Sequence, residues 1–162
     1  MNLRFLPEHV PPLIQSLTLA RKEAEHLRYS QRSLFAMAID LTWVEALSGQ
    51  PAMAEKVEAF GSRFSRLQDQ LGEKLLPRFA AVVGEPPRTL MDTLAFAERV
   101  QVLDDAEAFI AARRLRNALV HEYMQDAQLF LENLLEADKA CELLFSTLDN
   151  IERQLAGLGI AA

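Results

Sequence analysis

The stretch AQLFLENLLEADKACELLFSTLDNIERQL, residues 127–155, decides the fold class. Its apolar residues recur every three or four positions, which is the spacing of one face of an α-helix. They are Leu129, Phe130, Leu134, Ala137, Cys141, Leu144, Leu148 and Ile151. The pattern predicts one long amphipathic helix over about Ala127 to Leu155.

The segments before this helix repeat the same spacing, and none of them alternates apolar and polar residues as a strand does. Successive helices joined by short turns favour an up-and-down bundle. The sequence therefore predicts an all-α fold of four to five helices. The further helical segments are predicted at 13–47, 52–83, 90–100 and 105–123.

Turn and capping residues separate these segments. We expect a break at Ser30–Ser33 within the first, and a kink at Pro77 in the second, because proline removes one helical hydrogen bond. Thr89 is expected to cap the third helix. Asp104, with Glu107 three residues later, predicts a capping box for the fourth.

The composition fits a single domain covering residues 1–162, with residues 1–12 as an extended N-terminal arm that holds three of the seven prolines. A net charge of −6 argues against a protein that coats nucleic acid through a broad cationic surface, but allows a local basic patch. Cys141 is the only cysteine, which excludes an intrachain disulfide and fits a reducing cytoplasm. We expect no membrane span, since no segment approaches the roughly 20 uninterrupted apolar residues that one requires.

The segment Arg113–Tyr123, RRLRNALVHEY, concentrates basic and titratable groups in this acidic chain. A helical wheel puts Arg114, Asn117 and His121 on one stripe, expected to be exposed. Arg113 and Arg116 fall nearer the flank opposite the apolar face. The apolar face predicted for this helix comprises Ala108, Ala111, Ala112, Leu115, Ala118, Leu119 and Glu122.

The string Arg116-Asn117, His121 and Tyr123 resembles the signature of the HEPN domain, in particular the HepT-like toxins paired with minimal nucleotidyltransferases. The specific residues cover only Arg116–Tyr123, whereas the all-helical architecture and the chain length agree with the family. The resemblance implies a HEPN-like homodimer whose paired motifs face each other across a cleft. It also implies a cytoplasmic ribonuclease toxin without cofactor or metal, held inactive by a minimal nucleotidyltransferase antitoxin.

Each residue of the motif has a role that the resemblance implies. Arg116 would hold the scissile phosphate of RNA, and His121 would act as general acid or base, because imidazole titrates near neutrality. Asn117 would orient the histidine or the substrate, and Arg113 and Arg114 would attract the RNA backbone. Tyr123 would be the residue to which the antitoxin attaches AMP.

Arg116 and His121 lie five residues apart, hence about 140° apart on an ideal helix, which is too far round for their functional groups to meet easily. Three solutions stay open: the arginine curls back, the helix breaks near Glu122, or two subunits combine their motifs. The same separation motivates a second interpretation. In that case the chain is a non-catalytic HEPN subunit that binds a nucleotide or presents a substrate to a nucleotidyltransferase.

A second polar group, Arg63, Arg66, Gln68 and Asp69, lies on the preceding long helix. A salt-bridged surface, with Arg66 three residues before Asp69, is the simpler interpretation. A lining of the same cleft is the other. His9 and His26 have no partner at metal-ligand spacing and are interpreted as solvated side chains.

Overall fold

The computed structural model describes residues 4–121 and 125–160, and for His121 it describes the backbone only. The α-helices are α1 (Val10–Phe35), α2 (Leu41–Glu45), α3 (Pro51–Asp69), α4 (Leu76–Val82), α5 (Leu90–Arg99), α6 (Ala106–His121) and α7 (Ala127–Gly157). A π turn, Gln70–Leu75, joins α3 to α4 in one continuous rod. No strand occurs in these two described ranges, so the all-α prediction is confirmed for them.

The long helices pack side by side around one core. α1 packs on α3, α3 on α6, and α6 on α7, while α1 also contacts α7. Five phenylalanines are fully buried in this core. They are Phe60, Phe64, Phe79, Phe109 and Phe130. Burial of large aromatic side chains contributes strongly to stability, because each removes about 150–250 Å² from water. Within the described ranges, no helix is both long and apolar enough to span a bilayer.

The helices are more numerous than the four or five predicted. Six helical segments are described if α3, the π turn and α4 count as one rod. The additional helix is α2, since the predicted segment 13–47 is divided in two. The division lies at residues 36–40 rather than at Ser30–Ser33. Ser30 remains inside α1, where its hydroxyl accepts a hydrogen bond of 2.8 Å from Arg63 Nη1. Asp40 then begins α2 by accepting a hydrogen bond from the Trp43 N–H.

The arm predicted for residues 1–12 is too long. Pro7–His9 form a 3₁₀ turn, and α1 begins at Val10 with Pro11 and Pro12 in its first turn. Proline is accepted there because the first N–H groups of a helix have no acceptor within it. The Leu6 N–H donates to the Val82 carbonyl at 2.7 Å, which ties the start of the chain to α4.

The irregularity expected at Pro77 takes the form of the π turn just before it. In a regular α-helix the proline ring would collide with the carbonyl four residues earlier, at residue 73. In the π turn the Leu76 N–H donates to the Leu71 carbonyl, five residues back. The wider turn accommodates the proline without ending the rod.

Of the two predicted helix caps, the one at Thr89 is confirmed and the one at Asp104 is wrong. Thr89 caps α5 in a capping box with Asp92, as the sequence predicts. The cap of α6 is Asp105 and not Asp104: the Asp105 carboxylate accepts a hydrogen bond of 3.2 Å from the Ala108 N–H. The Ala106 N–H is bound instead by the Glu98 carboxylate of α5, at 2.8 Å.

Replacement of Asp105 by alanine should lower the free energy of unfolding by about 1 kcal/mol, because the first turn of α6 loses its acceptor. Asp104→Ala is the matched control and should change stability by less than about 0.5 kcal/mol. Urea denaturation followed by far-UV circular dichroism measures both. Equal losses in the two variants would contradict the assignment of the cap.

Cys141 lies buried in the core-facing side of α7. Burial raises the pKa of the Cys141 thiol well above its usual range, and the charges of Asp138 and Glu142 act in the same direction. Because the thiolate is the reactive form, the thiol of the folded protein stays protonated and inert.

We expect iodoacetamide to leave Cys141 of the folded protein unmodified at mildly alkaline pH and to alkylate it rapidly in denaturing urea, as measured by intact mass. Rapid alkylation without urea would contradict this burial.

Candidate functional site

The contact between α6 and the rod of α3 positions the motif helix. A Cβ added to Gly61 would lie 3.4 Å from Leu119 Cβ, and one added to Gly72 would lie 3.3 Å from Phe109 Cε1. The order of these pairs shows that α6 runs antiparallel to α3. The absence of a side chain at the two glycines lets the helices approach closely at both ends of the contact.

Between the two glycines the contact is polar. The buried Gln68 amide of α3 donates to the Ala112 carbonyl of α6 at 2.9 Å. Its Oε1 is buried without a hydrogen-bond partner among the described residues. This hydrogen bond sets the position of α6 along α3 and brings the next residue, Asp69, level with the arginines of the motif.

Arg116 forms a two-point ion pair with Asp69. Its Nη1 lies 2.5 Å from Asp69 Oδ1 and its Nη2 lies 3.0 Å from Oδ2. The pair is partly screened from water, since 27% of the Arg116 side chain and 38% of the Asp69 side chain are exposed. A planar guanidinium carries five N–H donors, so two parallel hydrogen bonds fix its plane and leave three donors for another anion.

Arg113 lies one turn earlier in α6 and contacts the same acidic side chains. Its Nη1 is 3.8 Å from Asp69 Oδ1 and 3.8 Å from Glu73 Oε1. These distances allow ionic attraction, but this buried Nη1 has no hydrogen-bond partner within the part of the chain that the structure describes. Asp69 and Glu73 together hold the two arginines at the edge of the α3–α6 contact.

The helical wheel predicted that Arg113 and Arg116 lie nearer the flank opposite the apolar face, and this prediction is wrong, because both contact Asp69 of α3. Arg116 lies on the same stripe as Phe109, Ala112 and Leu119, which face α3 and are buried. The physical reason is the carboxylate of Asp69, which compensates an arginine that the apolar pattern alone would place in solvent. The predicted core face was also displaced, since Phe109 is fully buried and Ala111 is exposed.

The other motif residues lie elsewhere on α6. Arg114 and Asn117 are exposed, as predicted, and form no hydrogen bond or ion pair with a described residue. His121 is the last residue of α6, with its side chain outside the description, and Tyr123 lies outside the described residues altogether. The helix continues through His121, so the angle of about 140° between Arg116 and His121 along one helix stands.

Asp69 and Gln68 came from the second polar group, for which a lining of the same cleft was the alternative interpretation. The predicted salt bridge from Arg66 to Asp69 is absent: Asp69 pairs with Arg116 and Arg113, and exposed Arg66 forms no ion pair with it. Glu73 was missed altogether. The signal that could have found it is the spacing of Gly61 and Gly72, which sets the antiparallel alignment of the two helices.

Within residues 4–121 and 125–160, no group of three or more His, Cys, Asp or Glu side chains is arranged to hold a metal ion. The α6 arginines could bind an anion, because Asp69 uses only two of the five N–H donors of Arg116. No family model, no curated protein and no solved structure matches the chain.

The coupling between Arg116 and Asp69 should be measurable in a double-mutant cycle with alanine. We expect about 1 kcal/mol, because the pair is bidentate and partly buried. The matched control is the Arg99–Glu85 pair on the α5 side, with side chains 62% and 53% exposed, which should show less than about 0.5 kcal/mol. Thermal and urea unfolding of the four proteins in each cycle provide the values. A coupling no larger than that of the control would mean that the ion pair does not hold Arg116.

Proposed function

We propose that this chain is a metal-independent HEPN-type ribonuclease toxin, acting as a cytoplasmic homodimer and neutralised by a minimal nucleotidyltransferase antitoxin. The single observation that carries the proposal is the fixed guanidinium of Arg116, held in a defined plane by Asp69 on the helix that ends at His121. An arginine that is already oriented loses little side-chain entropy when it binds a phosphate. Its Nε–H and second Nη2–H lie on one free edge of the guanidinium and can bind two oxygens of that phosphate.

Local charge supports binding of an RNA strand to this acidic protein. Arg113, Arg114 and Arg116 lie within four residues on α6, and the acidic groups in contact with them are Asp69 and Glu73. The cluster therefore carries a positive excess, whereas the whole chain carries −6. Exposed Arg114 is available to a phosphate of the backbone next to the scissile one.

The proposed reaction is a transesterification followed by strand release. His121 takes the proton of a ribose 2′-hydroxyl, and the 2′-oxygen attacks the neighbouring phosphorus while the bond to the 5′-oxygen breaks. A protonated histidine gives a proton to that leaving oxygen, so the products are a 2′,3′-cyclic phosphate and a 5′-hydroxyl. Arg116 stabilises the negative charge that accumulates on the phosphate. Asn117 orients the catalytic histidine or the substrate.

The geometry of α6 supports the proposed dimer. Arg116 faces α3, whereas Arg114 and Asn117 lie on the exposed stripe that continues to position 121. A second copy can supply a histidine to the arginine of the first across a two-fold axis. AMP attached to Tyr123, two residues after His121 in the sequence, would add negative charge and repel RNA.

One observation favours the second candidate, a non-catalytic subunit that binds a nucleotide or presents a substrate to the nucleotidyltransferase. Asp69 occupies two donors of Arg116 and partly neutralises it. In that case the arginines bind phosphate without chemistry, and His121 is dispensable. Nucleotide binding by a protein that leaves RNA intact would favour this candidate.

Incubation of purified protein with total RNA under a chelator tests the proposal. Intact mass first establishes that Tyr123 carries no AMP. We expect cleavage by the parent protein and a loss of about 100-fold or more in rate for both Arg116→Ala and His121→Ala, because each removes a group that acts in the transition state.

The matched control is Arg99→Ala, which also removes an arginine paired with a carboxylate, in this case the exposed Arg99–Glu85 pair on the α5 side. It should cleave RNA at the parent rate. Undiminished cleavage by His121→Ala would exclude the mechanism, and absence of cleavage in the unmodified parent protein would favour the non-catalytic subunit.

A further inference from the structure

A second surface of the molecule surrounds Tyr29 of α1, in clefts lined by residues of α1 and α3. The Tyr29 side chain is 72% exposed, more than any other large apolar or aromatic side chain of the described ranges. Two open clefts share Tyr29 and Ser33 as lining residues, with volumes of about 570 Å³ and 420 Å³. We call these two clefts together the Tyr29 groove.

The Tyr29 groove is basic in an acidic protein. Four cationic side chains line it against two carboxylates, Glu25 and Glu55. The cations are Arg28 and Arg32 of α1 and Lys56 and Arg63 of α3. An exposed aromatic ring between basic clefts is the combination that binds single-stranded nucleic acid: the ring stacks on a base and the cations contact the backbone.

Two of the arginines are held in place by the protein. Arg63 Nη1 donates to the His26 carbonyl at 3.2 Å and to Ser30 Oγ at 2.8 Å. The Arg28 guanidinium lies over the Phe145 ring of α7, 4.4 Å from its centre. Arg32 and Lys56 form no side-chain hydrogen bond or ion pair within the described residues, so their charges are available to a ligand.

We infer that the Tyr29 groove binds one nucleotide of a single-stranded RNA, with the base stacked on Tyr29 and the phosphate contacted by Arg32 and Lys56. The inference rests on the proposed function, since it names where a part of the substrate beyond the cleaved phosphate is held. The ring supplies a stacking surface that tolerates any base. The groove therefore contributes affinity and not base selectivity.

The helical geometry of α3 connects the two surfaces. Arg63 lines the Tyr29 groove and Asp69 holds Arg116. At about 100° per residue, Arg66 lies about 60° round the helix from each of them. Arg66 is exposed and forms no ion pair with any residue the structure describes. A strand that leaves the α6 arginines can thus cross α3 over a free cation to reach Tyr29.

The test is fluorescence anisotropy with a labelled short oligouridine, using the full chain with His121→Ala so that cleavage does not interfere. Tyr29→Ala should weaken binding about ten-fold, because stacking on one aromatic ring contributes about 1–3 kcal/mol per base. Tyr29→Phe should bind like the parent, since it keeps the ring. Arg32→Ala should weaken binding and lower its dependence on salt.

Met91→Ala and Arg99→Ala are the controls, each removing an exposed side chain of similar type from α5. Competition with UMP distinguishes a site for a free nucleotide from a site for a strand. Displacement of the labelled oligouridine by a low concentration of UMP identifies a mononucleotide site. Lack of displacement identifies a strand-binding site. Unchanged binding by Tyr29→Ala, or equal losses for Tyr29→Phe and Tyr29→Ala, would overturn the inference. Binding is measured without cleavage, so the two proposals can fail separately. If the protein with His121 intact cleaves no RNA but binding still depends on Tyr29, the ribonuclease proposal is rejected and the groove proposal is kept.

Discussion

The close contact of α6 with α3 is the constraint on which the rest of this molecule depends. Glycines at both ends of the contact let the two backbones approach, and the Gln68 amide binds the α6 backbone between them. With the helices this close, a long cationic side chain on the facing stripe cannot enter the core. Arg116 instead reaches the edge of the contact, where Asp69 compensates its charge.

The π turn before Pro77 has a structural role beyond accommodating the proline. Its residues contact two neighbouring helices. Gly72 packs on Phe109 of α6, and the Gln70 side-chain amide donates to the Ser16 carbonyl of α1 at 3.2 Å. The rod thus contacts α6 and α1 within three successive residues of the turn, Gln70 to Gly72.

The Arg116–Asp69 pair has opposite effects on anion binding. It orders the guanidinium, which lowers the entropic cost of binding, and it partly neutralises the charge that attracts a phosphate. Arg113 and Arg114 restore the excess of positive charge, although only Arg114 is exposed. The Tyr29 groove differs in this respect, because Arg63 and Arg28 are held there by a carbonyl, a hydroxyl and a ring, and not by a carboxylate.

The sequence by itself determined the all-helical class, the long helix α7 and Thr89 as the cap of α5, because each depends on residues only a few positions apart. It also placed Arg114 and Asn117 on an exposed stripe. It did not determine where α1 ends, which aspartate caps α6, or which way Arg116 points. Two of those outcomes depend on partners 33 and 47 residues away, Arg63 for Ser30 and Asp69 for Arg116. The start of α6 depends on Glu98, which is eight residues from Ala106 but on another helix. Only the tertiary structure decided them, because a polar side chain is directed by the charges and hydrogen-bonding groups that packing brings to it, and periodicity contains no record of these.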